Sequence, residues 1–268
     1  MATKPALMNL PIETSDAGFY SRFSKDVTIS AKILVSALII WAVVFPENAS
    51  NVLSALNSFL LSNFASWYIF VLAFYVVVCL LFALVPSSGK LLLGRPGETP
   101  EFSNFSWFSM MFGAGIGIGM LTFATAEPIY HFCNNPDVIR GLSTGYNADN
   151  VRAAYRWSFL HWGVSAWACY ALVGLALSYF SYRRNLPLTI RSGLAPLFGK
   201  NLSGPVGSII DIVALVATVL GVAQTLDFGV QQFVAGLHRV GIGDWVLNAE
   251  GTASTAGIIL ALLVIMGA

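Results

Sequence analysis

Charged side chains make up only 10% of this 268-residue chain, against about 25% in soluble domains. A water-exposed surface cannot be built from that composition, which excludes an ordinary cytosolic globular enzyme and a disordered chain. The formal net charge is +1, so there is no basic field to draw nucleic acid, and none is expected as a partner. Cysteine is scarce as well. Cys79, Cys133 and Cys169 form neither a paired disulfide framework nor a CxxC metal spacing, which removes the disulfide-stapled secreted module. Two of them lie in apolar runs, where a buried, inert thiol is the ordinary reading. The sequence contains no HExxH and no nucleotide-binding glycine loop, so a zinc protease or an ATP-driven pump has no motif behind it. One hydrolase-like string occurs, Gly141-Leu-Ser143-Thr-Gly145, but it lies in a polar stretch without a strand-to-helix context and reads as chance. No catalytic residue is expected.

Apolar residues fill the space left by charge: 56% of the chain is hydrophobic and the mean hydropathy is +0.73. A spanning helix needs about 20 mostly apolar residues, because the hydrocarbon core offers no water to a bare backbone. Six segments meet or approach that description, running from about Thr28 to Pro46, Trp67 to Pro86, Phe105 to Glu127, Trp157 to Phe180, Val206 to Leu226, and onward from Ser254. The stretch Val52 to Phe64 carries Asn57 and Asn63 and reads as an interfacial amphipathic segment rather than a span. Gly257 to Ala268 is too short to cross a core of about 30 Å, so the chain is expected to be the N-terminal part of a longer protein.

Basic residues set the orientation. Lys4, Arg22, Lys25, Lys32, Lys90, Arg95, Arg183, Arg184, Arg191 and Lys200 fall on one side, and Arg140, Arg152, Arg156 and Arg239 on the other. The positive-inside rule then predicts a cytoplasmic N-terminus. Residues 1–27 carry Glu13 and Asp16 and lack an apolar core beside a cleavage site, so they read as a short cytoplasmic tail rather than a signal peptide.

The third segment holds Gly113, Gly115, Gly117 and Gly119. Gly113-xxx-Gly117 and Gly115-xxx-Gly119 could serve helix packing. Glycines two apart, however, strip side chains from opposite faces, and each costs about 1 kcal/mol of helix propensity against alanine. A local break in the helix is the better explanation, and such breaks expose backbone groups to substrate and ions in secondary transporters. Glu127-Pro128 follows, and the proline predicts that the helix stops there, with Glu127 at a wet interface. In the fourth segment Trp162, Trp167 and Tyr170 lie within one arc of an unbroken helix. That arc is either a packed face with an interfacial belt or a cage of ring faces for a permanent cation. His161 beside it reads as structural. Asp211 and Asp227, near the two ends of the fifth segment, read as solvated or paired.

Several runs taken together resemble the betaine/choline/carnitine transporter family. They are Gly89-Lys-Leu-Leu-Leu-Gly-Arg95, Pro100-Glu-Phe-Ser103, Trp107 through Gly119, Ala126-Glu-Pro128, Phe159 through Tyr170, Tyr179 through Leu188, and Gly204 through Asp211. The resemblance implies an all-α integral membrane protein with a LeuT-type inverted-repeat fold, truncated within its first repeat at about six transmembrane helices. It divides the chain into the tail 1–27, two leading helices with their loops over 28–103, and a partial first repeat over 104–268. It implies ion-coupled transport of a quaternary-ammonium or sulfonium osmolyte such as glycine betaine, by alternating access, in a homotrimer of the cell membrane. Trp162, Trp167 and Tyr170, with Gly115, Gly117 and Gly119, are the substrate-binding residues it implies. Gly119 stands where proton-coupled choline carriers tend to have aspartate, which favours sodium as the coupling ion, with no other metal or cofactor. Ala114, Gly115 and Ile116 would give carbonyl oxygens to the ion and Thr218 a hydroxyl. Val222 stands where the family has a second threonine, and Thr225, two turns beyond Thr218, is no obvious replacement. The alternatives are a proton-coupled choline or carnitine carrier and a non-transporting receptor or assembly subunit that keeps the binding face.

Overall fold

The computed structural model describes residues 10–95, 97–115 and 117–267. Among them the regular structure is helical, and β pairing is confined to the isolated bridges Ser15–Ser21 and Leu247–Ala253. In chain order the helices are α1 (Lys25–Val44), α2 (Pro46–Leu84), α3 (Asn104–Gly115), α4 (Ile118–Asn134), α5 (Pro136–Ile139), α6 (Val151–Trp162), α7 (Val164–Leu177), α8 (Ile190–Phe198), α9 (Pro205–Arg239) and α10 (Thr255–Gly267). Four stretches, Lys25–Val44, Pro46–Leu84, Ala148–Arg183 and Pro205–Arg239, are long and apolar enough to cross a membrane by length and composition. The expected third span is divided between α3 and α4, and the last apolar helix is shorter.

Two compact units are present, one of Met1–Thr99 with Phe159–Ala217, the other of Pro100–Ser158 with Thr218–Ala268. In the first, α1 stops at Phe45, whose N–H still donates to the Trp41 carbonyl, and Pro46 begins α2 with the fixed φ suited to a first helical position. The interfacial segment expected at Val52–Phe64 is instead part of α2, a single helix of 39 residues. Its polar residues do not break the helix because they bond to it: Ser62 Oγ donates to the Ser58 carbonyl at 2.8 Å and Asn63 Nδ2 to the Phe59 carbonyl at 2.7 Å. Further along, α2 packs on α7, and Cys79 Sγ donates to the Ala168 carbonyl at 3.5 Å.

The core of the first unit gathers Leu10, Leu186, Ala195 and Leu202, so the N-terminal segment is anchored by its own leucine against α8 and the loop before α9. Beside this core Arg191, 1% exposed, donates from Nε to Asp211 Oδ2 at 2.6 Å and from Nη1 to the Leu202 carbonyl at 3.2 Å. The Arg191 backbone N–H adds a bond to Asp211 Oδ1 at 3.2 Å. Gly207 makes room for this arrangement, since a Cβ there would lie 1.9 Å from the Leu202 carbonyl oxygen and 3.0 Å from Arg191 Nη1. Asp211 is therefore the paired structural acid that its position predicts.

In the second unit the helix does not stop at Glu127-Pro128. It runs on to Asn134, and Glu127 is buried, with Oε1 3.4 Å from His131 Nε2. The pre-proline restriction acts at Asn135-Pro136 instead: Asn135 is extended, and its side chain accepts from Asp137 N and Val138 N to cap α5. Asn135 Nδ2 donates to Asn150 Oδ1 at 2.8 Å, and Asn150 Nδ2 to the Phe132 carbonyl at 2.7 Å. Ser143, from the hydrolase-like string, donates to the same Asn150 oxygen at 3.4 Å. α9 also extends past the expected end at Leu226, to Arg239. Its polar residues there have partners: Gln232 with Thr122, Gln231 with Asp227 and with the Ala253 N–H. Val230, Val234, Val246, Ala253 and Ala261 then form a core that seats α10.

Candidate substrate and ion site

The sequence-predicted residues fall into two groups, one in each unit. In the second unit α3 ends at Gly115 and α4 begins at Ile118, so the glycine stretch does interrupt the helix. A helix end leaves its last carbonyls without intrahelical partners, which supplies the acceptors that a hard cation needs. Ala114 and Gly115 belong to the last turn of α3, whereas Ile116 lies outside the described residues. Gly117 caps α4 with φ −68° and ψ −168°. A Cβ at Gly117 would sit 3.0 Å from the Gly113 carbonyl oxygen, so a side chain here would push the broken ends apart.

Gly119 is different. Its Cβ would meet Thr225 Cγ2 at 4.0 Å, an ordinary contact. The same faces of α4 and α9 continue through Phe123 and Phe228, whose rings meet edge to face at 5.6 Å, and through Thr122 and Gln232. Thr225, no obvious candidate from the sequence, is therefore the α9 threonine that faces Gly119, and its hydroxyl donates to the Gly221 carbonyl at 3.0 Å. The 3-and-4 spacing of Thr225, Phe228 and Gln232 is the signal that could have found it. Thr218 lies two turns earlier on the same helix.

In the first unit the expected arc of Trp162, Trp167 and Tyr170 does not form on one continuous helix. Trp162 is the last residue of α6, Gly163 interrupts the helix with φ −80° and ψ −136°, and α7 restarts at Val164. A Cβ at Gly163 would lie 2.4 Å from the Phe159 carbonyl oxygen, so the turn as built accepts glycine alone. The regular 100° step of a helix does not carry across that turn, so it does not place Trp162. Within α7 the pairing holds: the Trp167 and Tyr170 rings are 5.8 Å apart with planes at 45°. Trp162 is half-buried with the His161 ring 5.3 Å away, while Trp167 and Tyr170 are exposed. Exposed indole and phenol faces offer the quadrupole that attracts a cation lacking hydrogen-bond donors. Among the described residues no group of three His, Cys, Asp or Glu gathers to hold a metal ion.

Known proteins give this arrangement its context. The chain matches the betaine/carnitine/choline family of transporters over residues 26–268. It is 37% identical over 232 residues to a glycine betaine transporter of Acinetobacter baylyi, covering 85% of this chain and 34% of that protein. A glycine betaine transporter of Bacillus subtilis is 38% identical over 205 residues, which is 76% of this chain and 39% of that protein. An osmo-dependent choline transporter of Acinetobacter baylyi is 40% identical over 219 residues, 80% of this chain and 31% of that protein. The chain thus spans between three and four tenths of the length of these relatives, all of which are named as transporters and not as enzymes. With the family match over nine tenths of its residues and several long apolar helices, this multi-pass membrane chain belongs to the betaine/carnitine/choline transporter family.

Proposed function

We propose that the protein carries a small quaternary-ammonium or sulfonium osmolyte, with glycine betaine the favoured substrate, across the cell membrane by ion-coupled alternating access. The observation that supports this best is the helix interrupted between Gly115 and Ile118 within an apolar segment, in a chain of this family. Unsatisfied backbone in a membrane is tolerated where it lines a cavity or meets a ligand. In this reading residues 104–268 are the beginning of a LeuT-type inverted-repeat core, the N-terminus is cytoplasmic, and the working form is a homotrimer. Trp162, Trp167, Tyr170, Gly115, Gly117 and Gly119 serve the substrate. Ala114, Gly115, Ile116 and Thr218 serve the coupling ion, for which sodium is favoured because Gly119 offers no carboxylate. Energy coupling comes from substrate and ion stabilising one shared conformation. A proton-coupled choline carrier is the second reading, supported by the 40% identity to a named choline transporter.

Trp162→Leu tests the substrate assignment in the whole protein. It removes a ring face but keeps an apolar side chain, and a cation–π contact is worth about 0.5–2 kcal/mol. The half-saturation concentration for glycine betaine should therefore rise between about twofold and thirtyfold, with the amount of protein in the membrane unchanged. Uptake with an unaltered half-saturation would take Trp162 out of the site.

A further inference from the structure

α1 is 20 residues long, about 30 Å at 1.5 Å per residue, which matches the hydrocarbon core with no length to spare. It cannot borrow length from a loop at its end, because Phe45 alone separates it from α2. Lys32 stands seven residues past Lys25, about 10 Å along this helix. An ammonium at that depth has to bend back toward the headgroups on its long stem. The structure shows where it goes. Lys32 Nζ donates to the Tyr20 hydroxyl at 3.3 Å, and it lies 4.8 Å from the Tyr20 ring centre and 5.6 Å from that of Phe19. Among the described residues no carboxylate pairs with it, so the two rings and the phenol are what stabilise its charge.

The residues that receive Lys32 sit on a closed loop. The Ser15 N–H donates to the Phe23 carbonyl at 2.9 Å and the Arg22 N–H to the Ser15 carbonyl at 2.7 Å, which ties the loop at its base. Gly18, with φ +82°, turns the tip, and the Ser21 N–H donates back to the Gly18 carbonyl at 3.0 Å. Leu10, buried with Leu186, Ala195 and Leu202, holds the chain before the loop to the protein. The loop therefore does not trail away from α1. It doubles back beside the helix, and its tip meets a side chain rooted two turns into the span.

Two aromatic rings on this loop stand largely uncovered: Phe19 is 88% exposed and Phe23 57%. One exposed phenylalanine on a soluble loop would need no explanation. Here the tip lies level with the ammonium that has bent back from a spanning helix, and that level is the headgroup boundary. Aromatic side chains are stable at that boundary, with the polar groups of the same segment turned to water. The acids of the segment, Glu13 and Asp16, are exposed and precede the tip. A loop continuous with α1, tied at its base and carrying bare rings at this depth, fits the bilayer interface.

We propose that residues 15–23 form a membrane anchor, with Phe19 and Phe23 seated at the acyl boundary of the bilayer that α1 spans and the tip gripped by Lys32. The anchor stands independently of what the protein transports. It is tested by nitroxide labelling of the whole protein in phosphatidylcholine nanodiscs, with the native cysteines replaced by alanine and one label introduced through Phe19→Cys or Glu13→Cys. At position 19 dissolved oxygen should relax the label more strongly than a water-soluble nickel chelate does. At position 13 the order should reverse. Tyr20 keeps its contact with Lys32 in the labelled chain, so adding Lys32→Met to Phe19→Cys should raise the water-exposed population of the label between about twofold and thirtyfold, the worth of one cation–π contact. That substitution makes α1 more apolar, so insertion of the span is preserved. Nickel accessibility at position 19 equal to that at position 13 would overturn the proposal, because the loop would lie in water. Protection of position 19 from both reagents would overturn it as well, by showing protein rather than lipid over the loop. A population unmoved by Lys32→Met would overturn the grip assigned to Lys32.

Discussion

Asp211→Asn should lower the stability of the solubilised protein by about 3–5 kcal/mol, the usual result of removing one partner from a buried ion pair. Arg191 is 1% exposed, and the change strips the counter-charge from a guanidinium whose Nη2 already has no partner among the described residues. The amide that replaces the carboxylate can still accept a bond, but it cannot neutralise the charge. A buried pair is also expensive to desolvate, so replacing both members by apolar residues is often close to neutral. Arg191→Met with Asp211→Leu should therefore recover most of the loss. Thermal unfolding of the single and double variants checks both parts. An Asp211→Asn protein within about 1 kcal/mol of the original would mean that the pair is solvated, contrary to the packing around α8 and α9.

On the proposed reading of a sodium-coupled betaine carrier, Gly119→Asp should move coupling from sodium toward protons and preference from betaine toward choline. A carboxylate at this position supplies the negative charge that betaine otherwise brings, and it can take up a proton in place of a sodium ion. The position accepts the side chain sterically, since a Cβ there meets only the Thr225 methyl at ordinary contact distance, unlike Gly117, where it would press on the Gly113 carbonyl. The ratio of betaine uptake with and without a sodium gradient should fall about tenfold, a change of about 1.4 kcal/mol in coupling. Uptake that keeps both its sodium dependence and its betaine preference would show that Gly119 does not decide coupling.

The features most legible in the sequence are those set by composition and by glycine. Hydropathy locates the apolar helices, and the doubled spacing of Gly113 to Gly119 announces the break that the structure has between Gly115 and Ile118. Helix ends are harder to read, because they depend on whether a polar side chain finds a partner. Asn57 and Asn63 suggest an interface, yet Asn63 bonds to its own helix and α2 continues. Asp227 suggests an end near Leu226, yet α9 runs on to Arg239, with Gln232 bonded to Thr122 and Gln231 to the Ala253 N–H. Pro128 suggests a stop, whereas the cap formed by Asn135 supplies one seven residues later. In the candidate site, sequence identifies the aromatic residues by type but misplaces them in angle. A single glycine at 163 separates Trp162 from the pair Trp167 and Tyr170, and an ideal wheel has no means of showing it. That Thr225 faces Gly119 is set by the packing of α9 on α4, a long-range contact at which its spacing to Phe228 and Gln232 only hints.

The most direct test of the central claim is accumulation of labelled glycine betaine by proteoliposomes containing the whole protein, under imposed gradients of sodium or of protons. Sodium-coupled carriage predicts uphill accumulation with an inward sodium gradient, competition by other trimethylammonium compounds, and little accumulation with protons alone. Betaine binding without accumulation under either gradient would contradict it, leaving a receptor or assembly subunit that keeps the binding face.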